Sequence, residues 1–281
     1  MRTGTGHSWV RKTAAIASAV AGSLVLAAGS CDTVRPTVKP ASDVPSAGRF
    51  PHARFSLLLE KVVSNDGLVD YAAVSVEATT LEEYLGELAR VSPDSHRHLF
   101  PTENDQLAYW INAHNACALR GVLRLNRPAS LKDLSSKFDS GTSYVLGGKE
   151  LSLAGITNLI RKRFPEPRVH FILVRARRGG PPLSKAAYEP ADIEDRMEAA
   201  AKAFVADERN VQWTAPSREV KLSQLFLFYR GDFERQMSST VSGDMRLIEE
   251  LNRWRPVRQR IVATTAVPIP FDERLNDVAN R

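Results

Sequence analysis

The sequence predicts a helix-rich α+β fold in a single domain that spans residues 51–281. Apolar residues recur at helical spacing in several segments, whereas short segments rich in β-branched residues flank glycine and proline turns. The run RVHFILVRA (168–176) is β-branched, aromatic and apolar through its centre, which is typical of a strand buried on both faces. We therefore expect helices packed around short β-hairpins and one buried central strand.

Periodicity and capping residues position the helices. Thr80, Ser152 and Ser223 each precede a helical pattern and are placed to accept hydrogen bonds from its first-turn amides. The predicted helices cover residues 53–64, 81–88, 103–125, 153–164, 189–208, 224–236 and 244–254.

Glycine and proline turns separate the predicted strands. The segment SYVLGGKEL (143–151) predicts a hairpin, because Gly147 and Gly148 supply the positive φ angles of a tight turn. A second hairpin is expected from residues 210–223, around Pro216. Residues 68–75 and 262–271 are also expected to be extended.

The first 50 residues indicate export. A basic start and a 15-residue apolar run are followed by small residues, which predicts a signal peptide over residues 1–30. The sequence LAAGSC resembles a bacterial lipobox, which would make Cys31 the lipidation site. Cleavage after Ser30 without lipidation and an uncleaved membrane anchor are the alternatives. Residues 31–50 are polar and proline-rich, which predicts a flexible tether. We thus expect an envelope protein anchored through an N-terminal lipid, with its domain in the periplasm or outside the cell.

Charge and cysteine content exclude several classes of function. The chain of 281 residues has 38 basic and 32 acidic side chains, and residues 1–30 hold three of the basic ones and no acid. The remaining positive surplus is too small to indicate a nucleic-acid partner. Two cysteines, Cys31 and Cys117, exclude a multi-cysteine zinc site. His96 and His98 have no recognisable third ligand nearby, so neither a metal nor another cofactor is predicted.

The helix predicted at 103–125 carries amides into its apolar face. Asn115 completes a stripe of apolar residues at helical spacing, and Asn112 lies at the edge of that stripe. A buried amide requires hydrogen-bond partners. Either Asn115 ties down a neighbouring loop, or it orients a catalytic group or ligand. Cys117, on an adjoining ridge, is either core filler or a reactive thiol.

The buried run and its basic end supply the other candidate residues. His170 is either a structural histidine of the strand or a catalytic base. Arg175, Arg177 and Arg178 follow at the carboxyl end of the same run. They form either a solvated rim or an anion site for phosphate, carboxylate or an anionic glycan.

The block AYWINAHNACALRGVL (108–123) and five further blocks resemble, in order, the domain-of-unknown-function family 547, which is common in bacterial envelope proteins. The central block AYWINAHNACALRGVL resembles the hallmark W-I-N-x-Y-N-A helix of the family. The other blocks are VDYAAV (69–74), ELSLAGITNLIRKRF (150–164), PRVHFILVRARRGGPPL (167–183), VKLSQLFLFYRGDF (220–233) and PFDERLND (270–277). Asn112, Asn115 and His170 match motif positions of the family, as do Tyr229 and Asp232.

The motif residues of the family invite a papain-like thiol mechanism, and hence a papain-like fold as one alternative. This sequence differs from the family motifs at the positions that would carry out the thiol mechanism. Thr157 and Asn158 stand in place of a Glu-His pair, whereas Arg175 and Gly180 stand in place of two cysteines. The resemblance therefore implies a member that lacks the thiol and one imidazole.

Three hypotheses follow. The first is a degenerate, non-catalytic member that binds an anionic ligand or partner through Arg175, Arg177 and Arg178. The second is a hydrolase or transferase that uses His170 with Asn112 and Asn115, with Cys117 as a substitute thiol. The third is a structural interaction module of the envelope with no small-molecule site.

Overall fold

The computed structural model describes residues 32–38, 44, 46–235 and 242–281. All of them lie in the unit that runs from Cys31 to Arg281. The predicted signal peptide and Cys31 lie outside the described residues. Within the described ranges, no helix has both the length and the apolar character needed to cross a membrane.

The described fold is α+β and helix-rich, as predicted. Its α-helices are α1 (Ala53–Val62), α2 (Tyr71–Val76), α3 (Ala78–Arg90), α4 (Glu103–Arg124), α5 (Ser135–Asp139), α6 (Leu153–Arg163), α7 (Ile193–Ala206), α8 (Gln224–Phe228), α9 (Arg230–Phe233) and α10 (Asp244–Asn252). Its strands are β1 (Asp32–Val34), β2 (Thr142–Leu146), β3 (Lys149–Ser152), β4 (Val211–Gln212), β5 (Glu219–Ser223) and β6 (Thr265–Ile269).

The strands form two three-stranded sheets within the described ranges, in the orders β1-β2-β3 and β4-β5-β6. Both predicted hairpins are confirmed, since β2 pairs with β3 and β4 pairs with β5 in antiparallel register. Each sheet gains a third strand by parallel pairing, β1 on β2 and β6 on β5. Strand β1 lies inside the segment expected to be a flexible tether, and there the structure places three residues of ordered edge strand.

Helix α4 organises the first apolar cluster. It begins at a capping box in which the Thr102 side chain accepts from the Asp105 amide and the Asp105 side chain accepts from the Thr102 amide. Ile111, Ala118 and Val122 are completely buried, in agreement with the predicted apolar stripe. The α1, α3 and β2 elements supply much of the remaining cluster. A second apolar cluster joins α7, α8 and α10 to the β4-β5-β6 sheet.

The predicted central strand at 168–176 is wrong. Residues Pro167–Phe171 form a 3₁₀ helix, with proline in its first turn and the Glu166 side chain accepting from the Arg168 amide. Beyond it, the Val174 amide donates to Asn115 Oδ1 and the Ile172 carbonyl accepts from Asn115 Nδ2. The run is buried as expected, but an amide side chain of α4, not a neighbouring strand, satisfies these backbone groups.

Two local expectations also fail. The segment 68–75 was expected to be extended, yet Asp70 accepts a hydrogen bond from the Ala73 amide and caps α2. Within residues 68–75, only Val69 forms isolated β-bridges, with Val63 and Asp277. Helix α3 begins at Ala78, so Thr80 lies inside its first turn and does not cap it. Glu77 is the N-cap residue of α3, and its side chain accepts no hydrogen bond from the first-turn amides.

Candidate functional site

A cleft of about 570 Å³ opens between the two apolar clusters. Phe138, Leu153 and Val174 line it from the first cluster, whereas Leu225 and Tyr229 line it from the second. Most of the remaining lining side chains are polar: His114, Ser135, Asp139, Ser140, Thr157, Asn158, Arg161, Arg175, Arg177, Gln224 and Glu273. A concave site with convergent polar groups is the ordinary form of a small-molecule site.

A His-Asp-Arg cluster lies against this cleft. His170 Nε2 is 2.8 Å from Asp232 Oδ2, and the His170 side chain is completely buried. Arg161 donates to the same carboxylate through Nε and, at 3.0 Å, through Nη2. Arg235 Nη2 adds a further bond to Asp232 Oδ1 at 3.0 Å. Asp232 is therefore held by three basic side chains, contributed by α6, the 3₁₀ helix and the α9 region.

The electrostatics of this cluster keep His170 neutral. The pKa of His170 is lowered from 6.5 to about 4, mainly because the ring is buried; the hydrogen bond with Asp232 opposes this shift, and the nearby Arg175 charge adds to it. Burial by itself would raise the pKa of Asp232, but hydrogen bonds from His170 and Arg161 outweigh burial and hold that pKa below its ordinary value. A neutral His170 thus donates Nε2–H to an ionised Asp232, while its buried Nδ1 has no partner among the described residues.

Tyr229 forms the wall shared by these groups. The His170 ring stacks on the Tyr229 ring with 3.9 Å between centroids and an interplanar angle of 21°. The guanidinium carbons of Arg175 and Arg161 lie 4.7 Å and 5.1 Å from the centre of the same ring. The electron-rich face of a phenol favours both the neutral imidazole contact and the two cations.

Arg175 differs from the other arginines of the cleft in its pairing. Its Nε and Nη2 are buried and have no hydrogen-bond partner among the described residues. These two nitrogens form the same edge of the guanidinium that Arg161 uses to bind the Asp232 carboxylate. Arg175 therefore holds an unpaired fork of two buried donors, whose geometry fits two oxygens of one carboxylate or phosphate.

Arg177 and Arg178 are already partnered. Arg177 lines the cleft but is 5% exposed, and it forms ion pairs with Asp139 at 3.0 Å and Glu273 at 2.7 Å. Arg178 does not belong to the cleft lining, and its Nη1 donates to the Asn280 carbonyl at 3.0 Å. Of the three predicted anion-binding arginines, only Arg175 both lines the cleft and has buried side-chain donors without a partner among the described residues.

Asn112 and Asn115 are used by the backbone of neighbouring segments. Asn112 donates to the Tyr188 carbonyl at 2.8 Å and accepts from the Tyr188 amide at 2.9 Å. Asn115 binds Ile172 and Val174 in the same two-sided manner, at 3.0 Å and 2.9 Å. The contacts of Asn115 therefore agree with the interpretation that it fixes a neighbouring loop. Neither amide contacts His170, and neither lines the cleft.

Cys117 and His114, also on α4, are buried in different surroundings. Burial raises the pKa of the Cys117 thiol well above its ordinary value, and the thiol shows no exposed surface. This arrangement is that of core filler. His114 lines the cleft beside Arg175, and burial together with the charge of Arg175 lowers its pKa to about 3. Sequence reasoning did not single out His114.

The positions at which the chain departs from the family motifs converge on the cleft. Thr157, Asn158 and Arg175 all line it. A Cβ placed on Gly180 would lie 3.2 Å from Arg175 Cβ, slightly closer than the roughly 3.5–4.5 Å between the Cβ atoms of a disulfide. The two thiols that the resemblance implies at positions 175 and 180 would therefore be neighbours, and this chain has replaced both.

Asp232 is the functional candidate that the sequence reasoning missed. The block VKLSQLFLFYRGDF contained the signal, since both Tyr229 and Asp232 match its motif positions. Pairing with His170 was not foreseen because 62 residues separate the two along the chain. Within the ranges that the structure covers, no group of three or more His, Cys, Asp or Glu side chains is placed to hold a metal ion.

Comparison with known families supports the three sequence blocks that lie between residues 100 and 205. Residues 100–205 match the model of the family described as protein of unknown function, DUF547. This match supports the suspected family assignment over residues 100–205, a stretch that contains α4, the cleft residues of α6, and the segment from His170 to Arg178. No curated protein and no solved structure matches the chain.

Proposed function

Taking the match over residues 100–205 as a starting point, we propose that this chain is a non-catalytic member that binds an anionic ligand in the cleft. The unpaired Nε and Nη2 edge of Arg175 carries the proposal. Other cations of the cleft have their charge balanced by Asp232, Asp139 or Glu273, whereas Arg175 has no carboxylate partner among the described residues. A buried donor pair without a partner is unfavourable, and a ligand carboxylate or phosphate would satisfy both donors at once.

We propose that the protein lies in the cell envelope. Its domain would follow the signal peptide predicted over residues 1–30, with a lipid on Cys31 as the anchor. A non-catalytic role agrees with the replacement of the motif thiols and of the Glu-His pair by Arg175, Gly180, Thr157 and Asn158. None of these four residues is a thiol or titrates near neutral pH.

The His170–Asp232 pair favours a second candidate, a histidine-dependent hydrolase or transferase. A carboxylate that orients a neutral imidazole is a recurring arrangement in general base catalysis. Against it, His170 Nδ1 accepts no hydrogen bond from a hydroxyl or thiol of the described residues. The binding function is preferred because its key group, Arg175, lies in the lining of the cleft.

Anion binding by the full chain tests the proposal. Citrate and inorganic phosphate would be titrated by calorimetry into the wild type, Arg175→Gln and the control Arg178→Gln, which removes the same charge outside the cleft. Loss of a charge-assisted donor fork is expected to weaken binding by about 2 kcal/mol, or about thirtyfold, in Arg175→Gln alone. Equal affinities in the wild type and Arg175→Gln would refute the assignment of this residue.

A further inference from the structure

The mouth of the cleft exposes an aromatic ring. Phe228 lines the cleft and is 80% exposed, although a phenyl ring in water is unfavourable. Large exposed apolar groups at a concave site commonly mark a ligand contact. The cleft thus offers an apolar surface at its rim as well as the donor fork of Arg175.

The position of Phe228 is fixed by its helix. It is the last residue of α8, whose Leu225 and Phe226 are buried in the second apolar cluster. The Phe228 ring meets the Tyr229 ring edge-on, with 4.9 Å between centroids and 71° between planes. The ring is therefore presented at the rim as a supported surface and does not fold into the core.

Exposed amides accompany the ring. Asn158 and Gln224 both line the cleft and are exposed to solvent. An amide donates and accepts hydrogen bonds, so it suits a ligand that carries hydroxyl groups.

We infer that the anionic ligand is an acidic saccharide, a sugar ring that bears a carboxylate. Its carboxylate would bind the Nε and Nη2 edge of Arg175, and one face of the ring would stack on Phe228. Its hydroxyl groups would exchange hydrogen bonds with Asn158 and Gln224. This inference rests on the proposed anion-binding function and adds the chemistry of the remainder of the ligand.

Binding of a galacturonic acid trimer to the full chain tests the inference. The comparison ligands are the neutral galactose trimer, which lacks the carboxylates, and citrate, which lacks the ring. The variants are Phe228→Ala and the control Val257→Ala, which removes a side chain of 84% exposure that does not line the cleft. We expect the acidic trimer to bind at least tenfold more tightly than either comparison ligand.

The same titrations separate the inference from the proposed function. Phe228→Ala should weaken the binding of the acidic trimer at least fivefold without changing the affinity for citrate. Val257→Ala should change neither affinity. Citrate that binds as tightly as the trimer, or a trimer affinity unaffected by Phe228→Ala, would overturn the saccharide inference and leave anion binding intact. If Arg175→Gln alters the affinity of neither acidic ligand, the proposed function fails and the inference fails with it.

Discussion

Three buried histidines should make the fold sensitive to acid. The side chains of His52, His114 and His170 are at most 3% exposed. Burial lowers the pKa of His52 and His114 to about 3 and that of His170 to about 4, from an ordinary value of 6.5. Each ring is therefore neutral in the folded protein over a pH range in which the unfolded chain is protonated.

The direction and size of the effect follow from proton linkage. Between pH 6.5 and about 4 the unfolded state binds more protons than the folded state at these sites, so stability falls as the pH is lowered. One unit of pKa difference corresponds to about 1.4 kcal/mol, and pH 5 lies about 1.5 units below the ordinary histidine pKa. At pH 5 each histidine therefore lowers the free energy of unfolding by about 2 kcal/mol, and the three together lower it by about 6 kcal/mol. This total is comparable with the whole stability of many domains, about 5–15 kcal/mol.

Two carboxyl groups oppose the histidines over part of this range. Burial raises the pKa of Glu189 and Glu250, so the folded state retains protons there that the unfolded chain has released. These groups favour the folded state as the pH falls. The lowered pKa of Asp232 adds no slope above pH 5, because an unperturbed aspartate is already ionised there. The net loss should therefore be somewhat below the sum for the three histidines.

Urea unfolding of the full chain at pH 7, 6 and 5 measures this loss. Replacement of His52 by Gln should reduce the difference in the free energy of unfolding between pH 7 and pH 5 by about 2 kcal/mol. The reason is that the unfolded state then has one site fewer that binds a proton in this range. His98→Gln, at an exposed position, is the control and should leave the difference unchanged. A free energy of unfolding at pH 5 within about 1 kcal/mol of that at pH 7 would refute the reasoning.

Two further predictions concern helix α4. Asn115→Leu should lower the free energy of unfolding by about 2–5 kcal/mol in urea titrations. The reason is that the Ile172 carbonyl and the Val174 amide lose their buried partner. A loss below about 1 kcal/mol would contradict the role of Asn115 in fixing this loop. In the full chain with Cys31→Ser, Cys117 should resist iodoacetamide at pH 8 until urea unfolds the protein, because burial both shields the thiol and raises its pKa. Rapid alkylation of the native protein would contradict the assignment as core filler and favour a thiol enzyme.

The predictions that held depend on local physics. The Gly147-Gly148 turn has the positive φ angles that a tight hairpin needs, at 54° and 82°. Helix α4 was predictable because its apolar stripe, from Leu107 to Leu125, persists over about five turns and Thr102 caps its first turn. In both cases, a few neighbouring residues determine the backbone conformation, so the sequence is sufficient.

The predictions that failed depend on distant partners. A continuous apolar run is compatible with a buried strand or with any other buried backbone, and the choice depends on what satisfies its amides and carbonyls. In this protein Asn115 satisfies those of Ile172 and Val174 from α4, and no neighbouring strand is needed. Burial could therefore be predicted from composition, whereas strand geometry could not.

The same distinction governs the site. Residue types alone indicated an anion site at Arg175, Arg177 and Arg178, because clustered guanidinium groups attract carboxylates and phosphates. Only the tertiary structure decided that Asp139 and Glu273 neutralise Arg177. It also decided that Asp232 binds both His170 and Arg161. Arg175, in contrast, keeps an unpaired edge among the described residues. Ion pairing depends on distance in space, and the partners of these groups lie tens of residues away along the chain.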